Sequence, residues 1–236
     1  MIHAILVVAL VSLLTACSGI TPPFEASAFG PDRTYALVTI VSSKDVEGGE
    51  TTTVRGAALS DAYYYFPAKP ALEKSVSGLE KALDGHQAWR LLPPQELKSH
   101  PAWRNTPAEE VSGGYVVAPG YKFLKTPATL ANLARELNVD GVILLKLDFH
   151  FKFYGHKMVG IAATGKTNPV IKVDLRFLDR NGKVVYRTTG TKIWNEGAPA
   201  RDEAANPDLM YPLLAKAAEE SVRVISRRLD NRLQNK

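Results

Sequence analysis

A chain of 236 residues, 45% of them hydrophobic and 22% charged, is long and apolar enough to bury a sizeable core in one domain. The net charge of +5 comes from cations that are scattered, apart from Arg223, Arg227, Arg228 and Arg232 near the carboxyl end. That pattern argues against a nucleic-acid partner and fits weak attraction to acidic lipid headgroups or acidic cell-wall polymers. The single cysteine excludes an intramolecular disulfide.

From Met1 to Ala16 there is no Lys, Arg, Asp or Glu, and Ile5 to Leu14 is an almost unbroken apolar run. This is the length of a secretory h-region, too short to remain as a membrane-spanning helix. The residues Leu14-Thr15-Ala16-Cys17 resemble the lipobox of bacterial lipoproteins, although only the terminal amine and His3 stand where that pattern has Lys or Arg. The resemblance implies that residues 1–16 are a lipoprotein signal peptide and that Cys17 becomes the acylated first residue, its lipid chains held in a bilayer. Ser18, in place of Asp, implies sorting to the outer membrane with the domain in the periplasm. Residues 18–33, rich in Ser, Gly and Pro, read as a tether.

Thr34 to Ser43 is β-branched and apolar, as in a strand buried in a sheet, and the KDVEGGETTT segment after it reads as a solvent-facing loop. Pro70 opens a helix carrying Leu72, Val76, Leu79 and Leu83 on one face, closed by Asp84-Gly85. A short strand follows at Trp89 to Leu92, then a long insertion at about 99–125. Thr126-Pro127 caps a helix with Leu130, Leu133 and Leu137 at helical spacing. In the next strand Leu145, Leu147, Phe149, Phe151 and Phe153 alternate with Lys146, Asp148, His150 and Lys152. Ile171, Val173, Leu175 and Phe177 alternate in the same way with Lys172, Asp174 and Arg176, and Asn181-Gly182 signals a hairpin with positive φ at both residues. Asn206-Pro207 opens the last helix.

The expected order is β-α-β-α-β-β-β-α: an α/β domain over residues 34–236, with helices packed on a mixed parallel and antiparallel sheet. That order resembles the TolB amino-terminal-domain superfamily, which includes the curli-secretion pore lipoprotein and lipoprotein activators of peptidoglycan synthases. The segments carrying the resemblance are TYALVTIVSS, AWRLLPPQEL and TLANLARELNVDGVILLKLDF. It implies a membrane-anchored, non-enzymatic binding or adaptor component of envelope assembly, secretion or cell-wall synthesis, with a periplasmic protein partner. Its alternative is a homo-oligomeric secretion channel in which Phe149 to Val173 form a membrane hairpin.

Gly160 to Thr167, GIAATGKT, matches a phosphate-binding loop letter for letter, which would make the chain a nucleotide-binding protein or hydrolase. Such a loop needs a helix after Lys-Thr, but Asn168-Pro169 and an alternating pattern follow, so a flexible connection between strands is expected. His150 and His156 lack carboxylates at ligand spacing, and no metal or cofactor is expected. The partner-binding candidates are aromatic. Tyr63, Tyr64 and Tyr65 belong to a run of four aromatics that cannot all enter one core, and Trp103, Tyr115 and Tyr121 lie in the long insertion.

Overall fold

The computed structural model describes residues 23–54, 57–159, 162–199 and 206–234; side chains of 49–64, 153–165 and 198–199 lie outside that description. Cys17 and the signal segment are likewise outside it. The fold is mixed α/β. Strand β1 (Thr34–Ser43) is buried along eight consecutive residues. It pairs in parallel with β6 (Gly141–Val159) from Tyr35↔Gly141 to Ser42↔Leu147. Its other edge carries β4 (Arg90–Leu91) in parallel and β5 (Tyr115–Val117) antiparallel. On the far side of β6 runs β7 (Ala162–Asp179), antiparallel from Gly141↔Asp179 to Val159↔Ala162, and then β8 (Val184–Ile193) and the short β9 (Ala198–Pro199) pair with β7.

Two helices cover one face of the sheet. α1 (Lys69–Leu83) and α5 (Pro207–Gln234) lie side by side, Gly78 against Glu219 and Ala82 against Ser226. Under them Leu72, Leu79, Leu83, Leu214, Val222 and Leu229 join Leu145, Leu147, Phe149, Val173 and Phe177 in the larger core. Among the described residues, helices cover the opposite face only over its lower half. There α4 (Pro127–Glu136), with the short helices α2 (Pro94–Ser99) and α3 (Pro101–Asn105), packs Leu97, Trp103, Leu130 and Leu133 onto Val38, Val142 and Leu178. Among the described residues no helix is long and apolar enough to cross a membrane.

The sequence-based expectations hold for β1, α1, α4, the lower part of β6 and α5, and five others are corrected. KDVEGGETTT is a strand, β2 (Asp45–Val54), hydrogen-bonded to β3 (Ala57–Pro67) and to β6 through Glu47↔His150, Gly48↔Phe151 and Gly49↔Lys152. Its glycine is a packing device: a Cβ on Gly48 would meet the Phe151 ring at 2.2 Å. Freed of that clash, Phe151 stacks on Phe66 at 5.6 Å between centroids. The tether expected to reach Arg33 is packed from Phe24 onward, because Phe29 is buried among Tyr35, Trp89, Phe177 and Tyr186 and Phe24 bridges Tyr186. The 99–125 insertion is built into the body, contributing α3, β5 and buried Leu124. In the β7–β8 turn only Gly182 has positive φ, 77°, while the Asp179 carboxylate accepts from the amides of Asn181 and Lys183.

GIAATGKT was expected as a flexible connection. Instead, β6 and β7 continue to Val159 and Ala162, and Lys166 and Thr167 pair with Tyr154 and Phe153 and with β9. Gly160 and Ile161 lie outside the described residues. From Ala162 to Thr167 the backbone belongs to a strand and not to a helix start, where a phosphate would be cradled.

Candidate partner-binding face

Along β6, alternate residues on the second face change character where the helical cover stops. Val142 is buried under α4, whereas Lys146, Asp148 and His150 are partly exposed. Strand register places Asp174 and Thr189 beside Lys146, then Lys172 and Thr191 beside Asp148. Between these rows is a shallow cleft of about 270 Å³. The next row runs Tyr65, Glu47, His150, Val170 and Ile193 across four pairings.

The charges on this face are largely engaged with one another. Arg187 grips the Asp174 carboxylate through Nε and Nη2 at 3.1 and 2.9 Å, and Arg176 Nε donates to it at 3.1 Å. Burial alone would raise the Asp174 carboxyl; the two guanidiniums outweigh it and hold it below the usual carboxylate range. Lys146 Nζ donates to the Tyr115 hydroxyl at 2.8 Å and sits 4.6 Å from its ring centroid. Desolvation works against the Lys146 ammonium, but Tyr115 and Asp148 together leave its pKa raised. His150 is pushed the other way, lowered by burial first and then by the charge of Lys172, with Glu47 and Asp148 opposing. Its neutral form is thereby favoured, and its Nε2 has no hydrogen-bond partner among the described residues. Lys172 makes no ion pair among the described residues, so its charge is open beside the cleft.

Of the aromatic candidates, the structure brings Tyr115 and Tyr65 to this face. Tyr65 is 64% exposed and Ile193, at the other end of its row, 41%. The backbones of Tyr63 and Tyr64 pair with Gly49 and Gly48, and their side chains lie outside the described residues. Trp103 and Tyr121 are corrected to core residues, 5% and 8% exposed. The reason is packing: Trp103 joins Leu97 and Leu130 in the cluster under α4 and Tyr121 joins the larger core, with Lys122 over the Trp103 ring and Lys98 over Tyr121, each at 4.8 Å. The Tyr121 hydroxyl also donates to Glu80, and burial with that bond raises its pKa.

Comparison of the chain with protein-family models, with curated proteins and with solved structures finds no match. Chemistry therefore has to be read from the face itself. It offers an open charge, hydroxyls on Thr189 and Thr191, two tyrosines and an isoleucine at its margins. Protein interfaces are built from this mixture of an aromatic and aliphatic surround with polar anchoring. Lys172, Asp174, Arg187, Glu47 and Ile193 were missed as site residues. The alternation along β6 and β7 was visible, but the register bringing five strands level was not.

Proposed function

We propose that the protein is a lipid-anchored periplasmic component of the cell envelope that acts by binding a protein partner, as the lipoprotein and TolB-like resemblances imply. The anchor is Cys17 in the outer membrane; the partner meets the open face of the sheet. The observation that carries this reading is the unequal cover of that face: helices seal its lower half, and the upper half is left as a charged surface flanked by Tyr65, Tyr115 and Ile193. Its ionisable groups support binding over chemistry, because Asp174 is clamped by arginines and Lys146 is held by Tyr115.

A fatty-acid analogue should label the wild type and leave Cys17→Ala unlabelled; equal labelling would overturn the anchor. Charge reversal by Lys172→Glu with Arg187→Glu should remove the protein that co-purifies with the wild type from solubilised envelopes. Unchanged co-purification would overturn the face.

A homo-oligomer is the second reading, and one observation favours it. Among the described residues β3 pairs with β2 alone, and β7 over residues 162–165 pairs with β6 alone, so the β3-β2-β6-β7 blade has an open edge on each side. A membrane channel asks more, since one alternate set of each strand must be apolar toward lipid. Neither set in β2 is: Asp45, Glu47, Gly49, Thr51, Thr53 against Val46, Gly48, Glu50, Thr52, Val54. Light scattering of the detergent-solubilised chain separates the readings, a monomer mass opposing the oligomer.

A further inference from the structure

Where the chain enters the domain fixes which end of it lies nearest the anchor. Phe24 bridges Tyr186, and the Glu25 amide donates to the Val185 carbonyl at 2.9 Å, so entry is beside the first residues of β8. Cys17 to Phe24 is seven residues, reaching at most about 25 Å when fully extended. An acylated Cys17 therefore keeps this end close to its bilayer.

That end carries the last turns of α5. The Arg232 guanidinium lies 5.7 Å from the Phe24 ring centroid, and Arg227 and Arg228 are exposed on the preceding turn. None of the three makes an ion pair among the described residues, whereas the neighbouring cations do: Arg33 with Asp140, Arg90 with Asp32, Lys183 with Glu25. The acid within this stretch, Asp230, is engaged by His86 Nδ1 at 2.8 Å. His86 in turn stacks on buried Trp89 at 4.0 Å, and Leu229 is buried between the arginines. The three guanidiniums are thus presented by a packed, pinned helix end.

We propose that this arginine-bearing end of α5 docks on the anionic headgroups of the bilayer holding Cys17, so that the domain stands on it with the β2–β3 and β6–β7 hairpins directed away. The inference rests on the lipid-anchor reading and adds an orientation to it. Through Tyr186, Phe177 and Ile143 the strand register places Phe24 level with the start of β6, and Val159 is sixteen residues further along, roughly 50 Å away. Standing so, the protein holds the charged sheet face clear of the headgroups. Each arginine brought to an anionic surface raises the docked population roughly fivefold, and three together about a hundredfold, an effect that added salt weakens.

The test uses the mature acylated chain in vesicles of phosphatidylcholine alone or mixed with phosphatidylglycerol. Cys17 is blocked by its lipid, so Asn231→Cys or Lys152→Cys gives one reactive thiol for an environment-sensitive fluorophore, at the docking end or at the far end. Quenching by aqueous acrylamide should fall severalfold for the label at 231 when phosphatidylglycerol is present. It should return when Arg227, Arg228 and Arg232 are all replaced by Gln, and the label at 152 should remain fully quenched throughout. Equal quenching at 231 in both vesicle types, or shielding that survives the Gln replacements, would overturn the proposal; so would shielding at 152, which places the hairpins in the membrane. A chain that lacks the acyl mass and fails to float with vesicles would instead remove the anchor reading, and this inference with it.

Discussion

The two halves of β6 obey different rules. From Val142 to Leu145 the strand is covered on both faces, by α1 and α5 above and α4 below, and its sequence is a continuous apolar run. From Lys146 to Lys152 the first face stays buried through Leu147, Phe149 and Phe151 while the second alternates Lys, Asp, His, Lys. Backbone geometry is the same along both; the change of alphabet records where the helices stop. A strand that turns from continuous to alternating thus marks the edge of its own cover, and here that edge is where the open face, the proposed partner site, begins.

The contrast can be broken most severely from below. Phe177 is fully buried and meets Phe29, Tyr35, Trp89 and Tyr186, so Phe177→Ala should cost about 3–5 kcal/mol in urea unfolding. At the joint between the halves, Gly48→Val would drive a side chain into the Phe151 ring. Overpacking of this kind should cost about 1–3 kcal/mol and loosen β2 from β6, read as faster amide exchange in β2.

On the open face the expected effect depends on pH. Asp174 has a depressed pKa in the fold, so its ionic contacts contribute stability above the ordinary value of 3.8 and lose it as the pH falls through the folded value. Asp174→Asn should therefore lower the urea midpoint at pH 7, and the gap to wild type should narrow toward pH 3. Smallest are the margins: Tyr65→Ala should change stability by no more than about 0.5 kcal/mol while weakening partner binding.

Much of the covered half was legible in the sequence, because helices announce their buried stripe by spacing and their starts by proline, as Pro70 and Pro127 do. The open half was harder to read. β2 carries two glycines, three threonines and acids where a strand should show alternation, and the Phe151 ring lying over Gly48 accounts for one of those glycines. Phe24 and Phe29 were hidden in a tether-like composition, since two aromatics can dock a segment that is otherwise Ser, Ala and Pro. For the site, Tyr115 and Tyr65 could be nominated as aromatics without an obvious core, but the same reasoning nominated Trp103 and Tyr121. What separates the pairs is the company each ring keeps: Trp103 packs into the cluster under α4 and Tyr121 into the larger core, contacts between distant parts of the chain that no local pattern records.

The measurement that bears most directly on the central claim is a photo-crosslinking scan in intact envelopes, with the reactive residue at Tyr65, Tyr115 or Lys172 on the open face and, for comparison, at Glu73 on the helical side. The account predicts one common adduct from all three face positions and none from Glu73. Adducts at Glu73 with a silent sheet face would contradict it.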